Sequence, residues 1–253
     1  MKIFAIGDLH LALGIPDKAM DFFGGDWKGY TSKIEANWRK CVNANDLVLI
    51  PGDISWAKTL EEAKVDFAWI ENLPGKKIIS KGNHDYWWPS GKKLLEALPP
   101  SIKALNKSAM SIEGVSIAAT KLYDAPGISF GPYINFAPNP REVAKEKDRE
   151  EEKRLYEREL ERLELALSMM PEASLRIAMV HYPPISADMT PSLASKLLEK
   201  YRVDICIFGH LHSIKKECSL FGKKLNGVEY YLTSADYLDF CPLLIKEIYT
   251  EYS

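Results

Sequence analysis

The chain has 253 residues, 46% of them hydrophobic, and its 33 lysines and arginines nearly balance its 35 aspartates and glutamates. That is enough apolar side chain for a sizeable core, while the near-neutral balance gives no overall basic field to draw the protein to nucleic acid or anionic lipid. The four cysteines, Cys41, Cys206, Cys218 and Cys241, lack zinc-type pair spacing, no apolar stretch approaches membrane-span length, and Met1-Lys2-Ile3-Phe4 carries no charged leader, so a cytoplasmic protein with reduced thiols is expected.

Residues 2 to 6 form the first predicted strand, which ends in Gly7-Asp8-Leu9-His10. The loop over residues 11 to 30, rich in glycine and aromatics (Phe22, Phe23, Trp27, Tyr30), reads either as a surface loop with anchors in the core or as the lining of a substrate pocket. Ser32-Lys33-Ile34-Glu35 has the pattern of a capping box opening a helix to about Val42. Residues 47 to 50 are the second strand, running into Pro51-Gly52-Asp53. Thr59-Leu60-Glu61-Glu62 is a second capping box, after which Ala63, Phe67 and Ile70 keep helical spacing to about Asn72. Pro74-Gly75 breaks the chain before the strand at Ile78, which opens into Gly82-Asn83-His84-Asp85. Strand, helix, strand, helix, strand is the order of a parallel sheet with its strand ends on one edge, and that places Asp8, Asp53 and Asn83 together. Trp87 and Trp88 beside this cluster read as core side chains, with a pocket wall open to one of them.

A helix near residues 92 to 97 and strands near Ile102–Leu105 and Val115–Thr120 come next. Asn139-Pro140-Arg141-Glu142 supplies an N-cap, a first-turn proline and an N3 glutamate, opening a long charged helix at about 140–170. Tyr156, Leu160, Leu163, Leu167 and Met170 fall on one face of it, a stripe expected to lie on its own domain rather than form a dimer contact or lid. Residues 175 to 180 lead into His181-Tyr182-Pro183-Pro184, Thr190-Pro191 starts a helix to about Tyr201, and residues 203 to 208 run into Gly209-His210-Leu211-His212. Candidate strands at 213 to 218, 228 to 233 and 243 to 249, with no helix among them, predict an antiparallel second sheet. No linker or repeat interrupts the chain, so residues 1–253 read as a single domain.

All five histidines of the chain lie in polar clusters that end apolar runs. Aspartate, histidine and asparagine suit Mn, Fe, Zn or Ni, and no thiolate is offered. Residues two apart in extended chain point the same way, so Asp8 and His10 can grip one ion while His210 and His212 reach that ion and a neighbour. Two ions about 3.5–4 Å apart clamp a phosphoryl group; one carboxylate must bridge them, and Asp53 is the natural candidate. Asn83 adds a neutral oxygen, and His84 points toward whatever the metals bind.

Taken together, Gly7-Asp8-Leu9-His10, Gly52-Asp53, Gly82-Asn83-His84-Asp85, His181 and Gly209-His210-Leu211-His212 resemble the calcineurin-like metallophosphoesterase superfamily over residues 3 to about 212. The resemblance implies an α/β fold, a four-layer α/β/β/α sandwich of two mixed sheets, with the metal site at the C-terminal ends of the strands. It implies one metal on Asp8, His10, Asp53 and His212 and a second on Asp53, Asn83, His181 and His210, as di- or trivalent Mn, Fe, Zn or Ni with Mn favoured. His84 would stabilise phosphoryl oxygens or protonate the leaving oxygen, and Asp85 would orient it. A hydroxide bridging the ions is the expected nucleophile, and the ions polarise the phosphoryl oxygens. Ile54-Ser55-Trp56 after Asp53 lacks the arginine of the serine/threonine protein phosphatases, and Trp56 stands where purple acid phosphatases carry a tyrosine ligand. Asp8-Leu9-His10-Leu11 and His181-Tyr182-Pro183-Pro184 are more similar to the bacterial phosphodiesterase branch, and the whole chain to stand-alone bacterial predicted phosphohydrolases. The expected function is hydrolysis of a small phosphodiester or nucleotide-like substrate. The alternatives are a phosphomonoesterase or phosphoprotein phosphatase, and a catalytically silent scaffold of the same fold.

Overall fold

Short apolar runs become strands and amphipathic runs become helices across residues 1–89, 92–134 and 149–248, the part of the chain that the computed structural model describes. Strands β1 (Lys2–Ala5), β2 (Leu47–Pro51), β3 (Lys76–Ser80) and β4 (Ile102–Leu105) run parallel, with α1 (Tyr30–Cys41), α2 (Leu60–Glu71) and the short α3 (Lys93–Ala97) between them. The second sheet comprises β5 (Ser108–Ile112), β6 (Val115–Thr120), β7 (Leu175–Val180), β8 (Ile205–Phe208), β9 (Lys223–Leu225) and β10 (Val228–Leu232), ordered β5-β6-β7-β8-β10-β9. Helices α4 (Arg149–Ser168) and α5 (Leu193–Lys200) belong to this half. The last strand, β11 (Leu243–Glu247), returns to the first sheet and lies antiparallel on β1, giving the order β11-β1-β2-β3-β4.

Alternation along the strands builds the layers. Ile3, Ala5, Leu49 and Ile78 of the first sheet share one apolar cluster with Ile117, Ile177, Met179 and Ile207 of the second. The intervening residues, Phe4, Val48, Ile50 and Ile79, point the other way and join Ile34, Trp38, Phe67 and Ile70 from α1 and α2. Each such large side chain contributes about 1.5–3 kcal/mol on burial, so both faces of both sheets are committed to packing. Only the strand ends remain for chemistry.

Several local expectations change. The first capping box does not form: α1 starts at Tyr30, because Gly29 at φ 65° turns the loop into the helix and the Tyr30 hydroxyl, bonded to His10 O at 2.8 Å, fixes the first turn. The second forms as read, with Glu62 N donating to Thr59 Oγ1 and Thr59 N to Glu62 Oε2. Helix α5 is capped by Ser192, whose hydroxyl accepts from Ser195 N at 3.1 Å, and so begins after Thr190-Pro191. In α4, Tyr156, Leu163 and Leu167 are buried and Leu160 is half-buried, and Met170, just past its end, is buried too, so the stripe lies on β6 and α5 of its own chain. The cap expected at Asn139 and the strand end expected at Tyr249 lie outside the described residues.

The predicted separate antiparallel sheet is not found. β10 pairs parallel to β8, and residues 213 to 218 contribute an isolated bridge at Ile214 instead of a strand. Val228, Tyr230 and Leu232 are buried in the larger apolar cluster, which Ala194 and Leu198 of α5 share, and β8 takes up the backbone pairing. β5 and β9 are short additions that the sequence reading did not contain. Among the described residues no helix is long and apolar enough to cross a membrane.

Candidate metal centre

Parallel strands put their C-terminal ends on one edge, and five polar clusters meet there. Asp8 and His10 follow β1, Asp53 follows β2, Asn83 and His84 follow β3, His181 follows β7, and His210 and His212 follow β8. The chain turns sharply at these points: Asp8, His10, Asp53 and His210 all have positive φ, at 53°, 46°, 50° and 73°. Such conformations carry strain for residues with a Cβ. Cross-strand bonds hold them, with Asp8 N donating to Gly52 O at 3.1 Å, His10 N to Asp53 O at 3.0 Å and Gly209 N to His181 O at 3.2 Å. Two glycines allow the close approach: a Cβ on Gly82 would overlap Asp53 Oδ1, and one on Gly209 would overlap Asp8 Oδ2.

Two sets of ligand atoms result. Asp8, His10 and His212 present one atom each within 4.8 Å of one another, as do Asp8, Asp53 and His181. His10 Nε2 and His212 Nε2 stand 3.0 Å apart, and Asn83 Oδ1 lies 2.6 Å from His181 Nε2 and 3.0 Å from His210 Nδ1. Asp53 Oδ1 accepts from His84 N at 2.8 Å, which leaves Oδ2 facing inward, 3.9 Å from His10 Nε2 and 3.5 Å from His181 Nε2. The outer nitrogens are held too: His181 Nδ1 is 3.1 Å from Pro51 O, and His212 Nδ1 is 2.9 Å from Asp236 Oδ1. A carbonyl or carboxylate on Nδ1 fixes the tautomer that points the Nε2 lone pair into the site.

The electrostatics fit cations. Burial pushes the Asp8 carboxyl up to about 6, against the pull of His181 and His212. Burial also acts to raise Asp53, but His181, His10 and the His84 N–H outweigh it and hold Asp53 below the usual carboxylate range. Burial brings His10 and His210 down to about 3, leaving them neutral with free lone pairs. It acts downward on His181 and His212 as well, yet carboxylates reverse it: Asp53 and Asp8 lift His181 to about 9, and Asp236 lifts His212 to about 9. The buried carboxylates draw positive charge to the centre, as the raised His181 and His212 show, and the donor set is oxygen and imidazole nitrogen, which suits borderline divalent ions.

Asp85 is buried at the centre but does not reach His84. Its oxygens accept from the backbone N–H of Ile54, Ser55 and Gly82 and from the Trp87 indole, so it ties the loop after β2 to the loop after β3. Burial and the nearby Asp53 raise its pKa to about 7, while the Gly82 and Ser55 N–H groups draw it back. The His84 ring lies 4.4 Å from Trp56, its buried Nδ1 has no hydrogen-bond partner, and burial holds its pKa below the ordinary value.

Three further residues shape the site. Asp236, past the end of β10, holds His212 and accepts from Ser213 N at 2.8 Å. Trp56 stacks on His10 at 4.8 Å, and Trp27 presents its edge to His10 and His212 at 5.9 and 5.7 Å. The loop after β1 is therefore both anchor and lining: Trp27 and Tyr30 are buried, Phe22 is exposed, and Trp27 walls a cleft of about 580 Å³ beside His212. Trp87 is core, packed on Phe67, and Trp88 lines a different cleft with Leu94 and Leu95.

A sequence profile described as calcineurin-like phosphoesterase matches residues 1–213. No curated protein sequence matches the chain. Among solved structures, a phosphopantetheinyl hydrolase from Mycobacterium tuberculosis has a TM-score of 0.51 at 15% identity, over 94% of this chain and 90% of that one. A protein of unknown function from Aquifex aeolicus has a TM-score of 0.49 at 16% identity, over 96% and 94%. At these identities the likeness concerns the fold alone.

Proposed function

The chain belongs to the calcineurin-like phosphoesterase family, the metal-dependent phosphoesterases, and from that premise we propose that it hydrolyses small phosphodiesters or nucleotide-like phosphates at a centre of two divalent ions, with manganese favoured. One ion is assigned to Asp8, His10, Asp53 and His212, the other to Asp53, Asn83, His181 and His210. The observation that carries the assignment is the position of Asp53 Oδ2, which faces His10 on one side and His181 on the other. When bound, such ions supply Lewis acidity and bring the ionisation of water toward neutral pH.

The protein's own groups do the positioning. Asp236 and the Pro51 carbonyl hold His212 and His181 in register, and Asp85 fixes the two loops that carry Asp53 and Asn83. His84, whose Nδ1 is buried and whose pKa burial holds below the ordinary value, is placed to offer its other ring nitrogen to a phosphoryl oxygen or to the departing oxygen. Trp27 and Trp56 offer aromatic surface beside the ligands, which supports a base or similar planar group in the substrate.

The test is turnover by protein stripped of metal and reloaded with Mn²⁺, comparing bis-p-nitrophenyl phosphate with p-nitrophenyl phosphate. Metal-dependent turnover with the diester preferred is expected. A clear preference for the monoester would replace the diester reading with a phosphomonoesterase, and a protein that neither binds metal nor turns over either compound would be a scaffold.

A further inference from the structure

The loop after β3 holds one ring out of the core between two buried neighbours. Asp85 is fully buried and Trp87 nearly so, while Tyr86 between them is 67% exposed. Asp85 pins the turn through the N–H groups of Gly82, Ile54 and Ser55 and the Trp87 indole, and Trp87 packs on Phe67 with ring centres 4.9 Å apart. The backbone closes as well, with Tyr86 N donating to His84 O at 2.8 Å and Trp88 N to Asp85 O at 3.2 Å. Tyr86 thus sits on a turn fixed from both sides, yet its ring gives up the burial through which an aromatic side chain ordinarily contributes to folding.

The ring is also next to the chemistry. His84 lies 5.9 Å from His10, a candidate ligand, and Tyr86 lies 6.1 Å from His84, nearly perpendicular to it at 78°. The three rings step outward from candidate ligand to candidate proton donor to surface. The other rings of the site are engaged. Trp56 lays its face on His10 at 19°, Trp27 meets His10, Tyr30, His212 and Phe240, and the buried Tyr182 lies 4.1 Å from His210. Of this set, Tyr86 has the most surface left for a ligand.

We propose that Tyr86 is a specificity residue, a stacking platform for a planar group such as a nucleobase, carried on the phosphoryl oxygen that faces His84. The inference deepens the phosphoesterase reading and rests on it. A sugar joining phosphate to base spans the step from His84 to Tyr86, and the fixed turn means that the ring is in place before the substrate arrives. Every base has a π-face, so the platform selects a nucleoside over an alkyl arm without choosing among bases.

The experiment is calorimetric titration of the full chain in saturating Mn²⁺ with ethylphosphonate and with 9-(2-phosphonoethyl)adenine, which differ only by the base and carry no ester to hydrolyse. The unaltered protein, Tyr86→Ala and Tyr86→Trp are compared. The adenine compound is expected to bind about 5- to 150-fold tighter than ethylphosphonate, the worth of one stacked base. Tyr86→Ala should remove that advantage and Tyr86→Trp keep it, while ethylphosphonate, which reads the metal centre alone, binds all three proteins equally. An equal advantage in Tyr86→Ala, or none in the unaltered protein, overturns the platform and leaves the phosphoesterase reading standing. A metal-loaded protein that binds neither phosphonate and hydrolyses no phosphodiester overturns both.

Discussion

Asp236→Asn isolates one outer-shell contact of the centre. The carboxylate accepts from His212 Nδ1 at 2.9 Å and from Ser213 N at 2.8 Å, and it is the charge that lifts His212 to about 9 against burial. Asparagine keeps the shape and one acceptor oxygen, but it removes the charge and turns an NH₂ group toward one of the two N–H donors. Outer-shell partners of ligating histidines are worth about 10- to 100-fold in metal affinity, or roughly 1.4–2.7 kcal/mol. The structure carries its own reporter, since Trp56 stacks on His10 and Trp27 lies edge-on to His212. Titrating tryptophan fluorescence with Mn²⁺ should show the ion held by His212 weakened by that factor, while the ion assigned to Asn83, His181 and His210 binds as before. Unchanged affinity for both ions in Asp236→Asn would refute the argument that this carboxylate tunes a ligand.

Gly82→Ala drives a methyl group onto Asp53 Oδ1, so both ions should be lost by elemental analysis while far-UV circular dichroism stays native; retained metal would show that the loop yields instead. His84→Ala should keep both ions and lose about 10²- to 10⁴-fold in rate on alkyl esters, and much less on p-nitrophenyl esters. Equal losses on both would exclude a role at the departing oxygen. Asp66, bonded to Ser55 Oγ at 2.5 Å and to Leu13 N at 2.8 Å, is raised by burial from 3.8 to about 6, with those donors pulling it down. A raised folded pKa means that its contribution is fully present below about pH 4 and is lost as pH rises through about 6. Denaturant titrations should therefore find Asp66→Asn gaining stability relative to the unaltered protein across that window, and a difference independent of pH would contradict the shift.

The candidate ligands could be placed together from the sequence because the pattern that marks them is topological. An apolar run ending in glycine, aspartate, asparagine or histidine is a strand that delivers a polar group to the sheet edge, and parallel strands share one edge. Asp236 carries the same signal, since β10 runs into Thr233-Ser234-Ala235-Asp236. It was missed because that strand was expected in a separate antiparallel sheet, and only its parallel pairing with β8 brings Asp236 to His212. Asp85 sits in the right cluster, but most of its partners are backbone N–H groups, which leave no mark in a sequence. The two capping-box patterns look alike locally, yet Ser32 falls inside α1 because Gly29 turns the chain earlier, whereas Thr59 meets no such competitor. Trp56 against His10 and Lys121 against Tyr182 are contacts between distant segments, and no spacing rule anticipates them.

The central claim is that Asp53 is shared by two ions that the reaction needs. The most direct measurement is the metal content of the Mn²⁺-reloaded protein and of Asp53→Asn, taken beside turnover of bis-p-nitrophenyl phosphate. Two ions and metal-dependent turnover in the unaltered protein, with weakened metal binding and no turnover in Asp53→Asn, are the expected results. Two tightly held ions and undiminished turnover in Asp53→Asn would contradict the account.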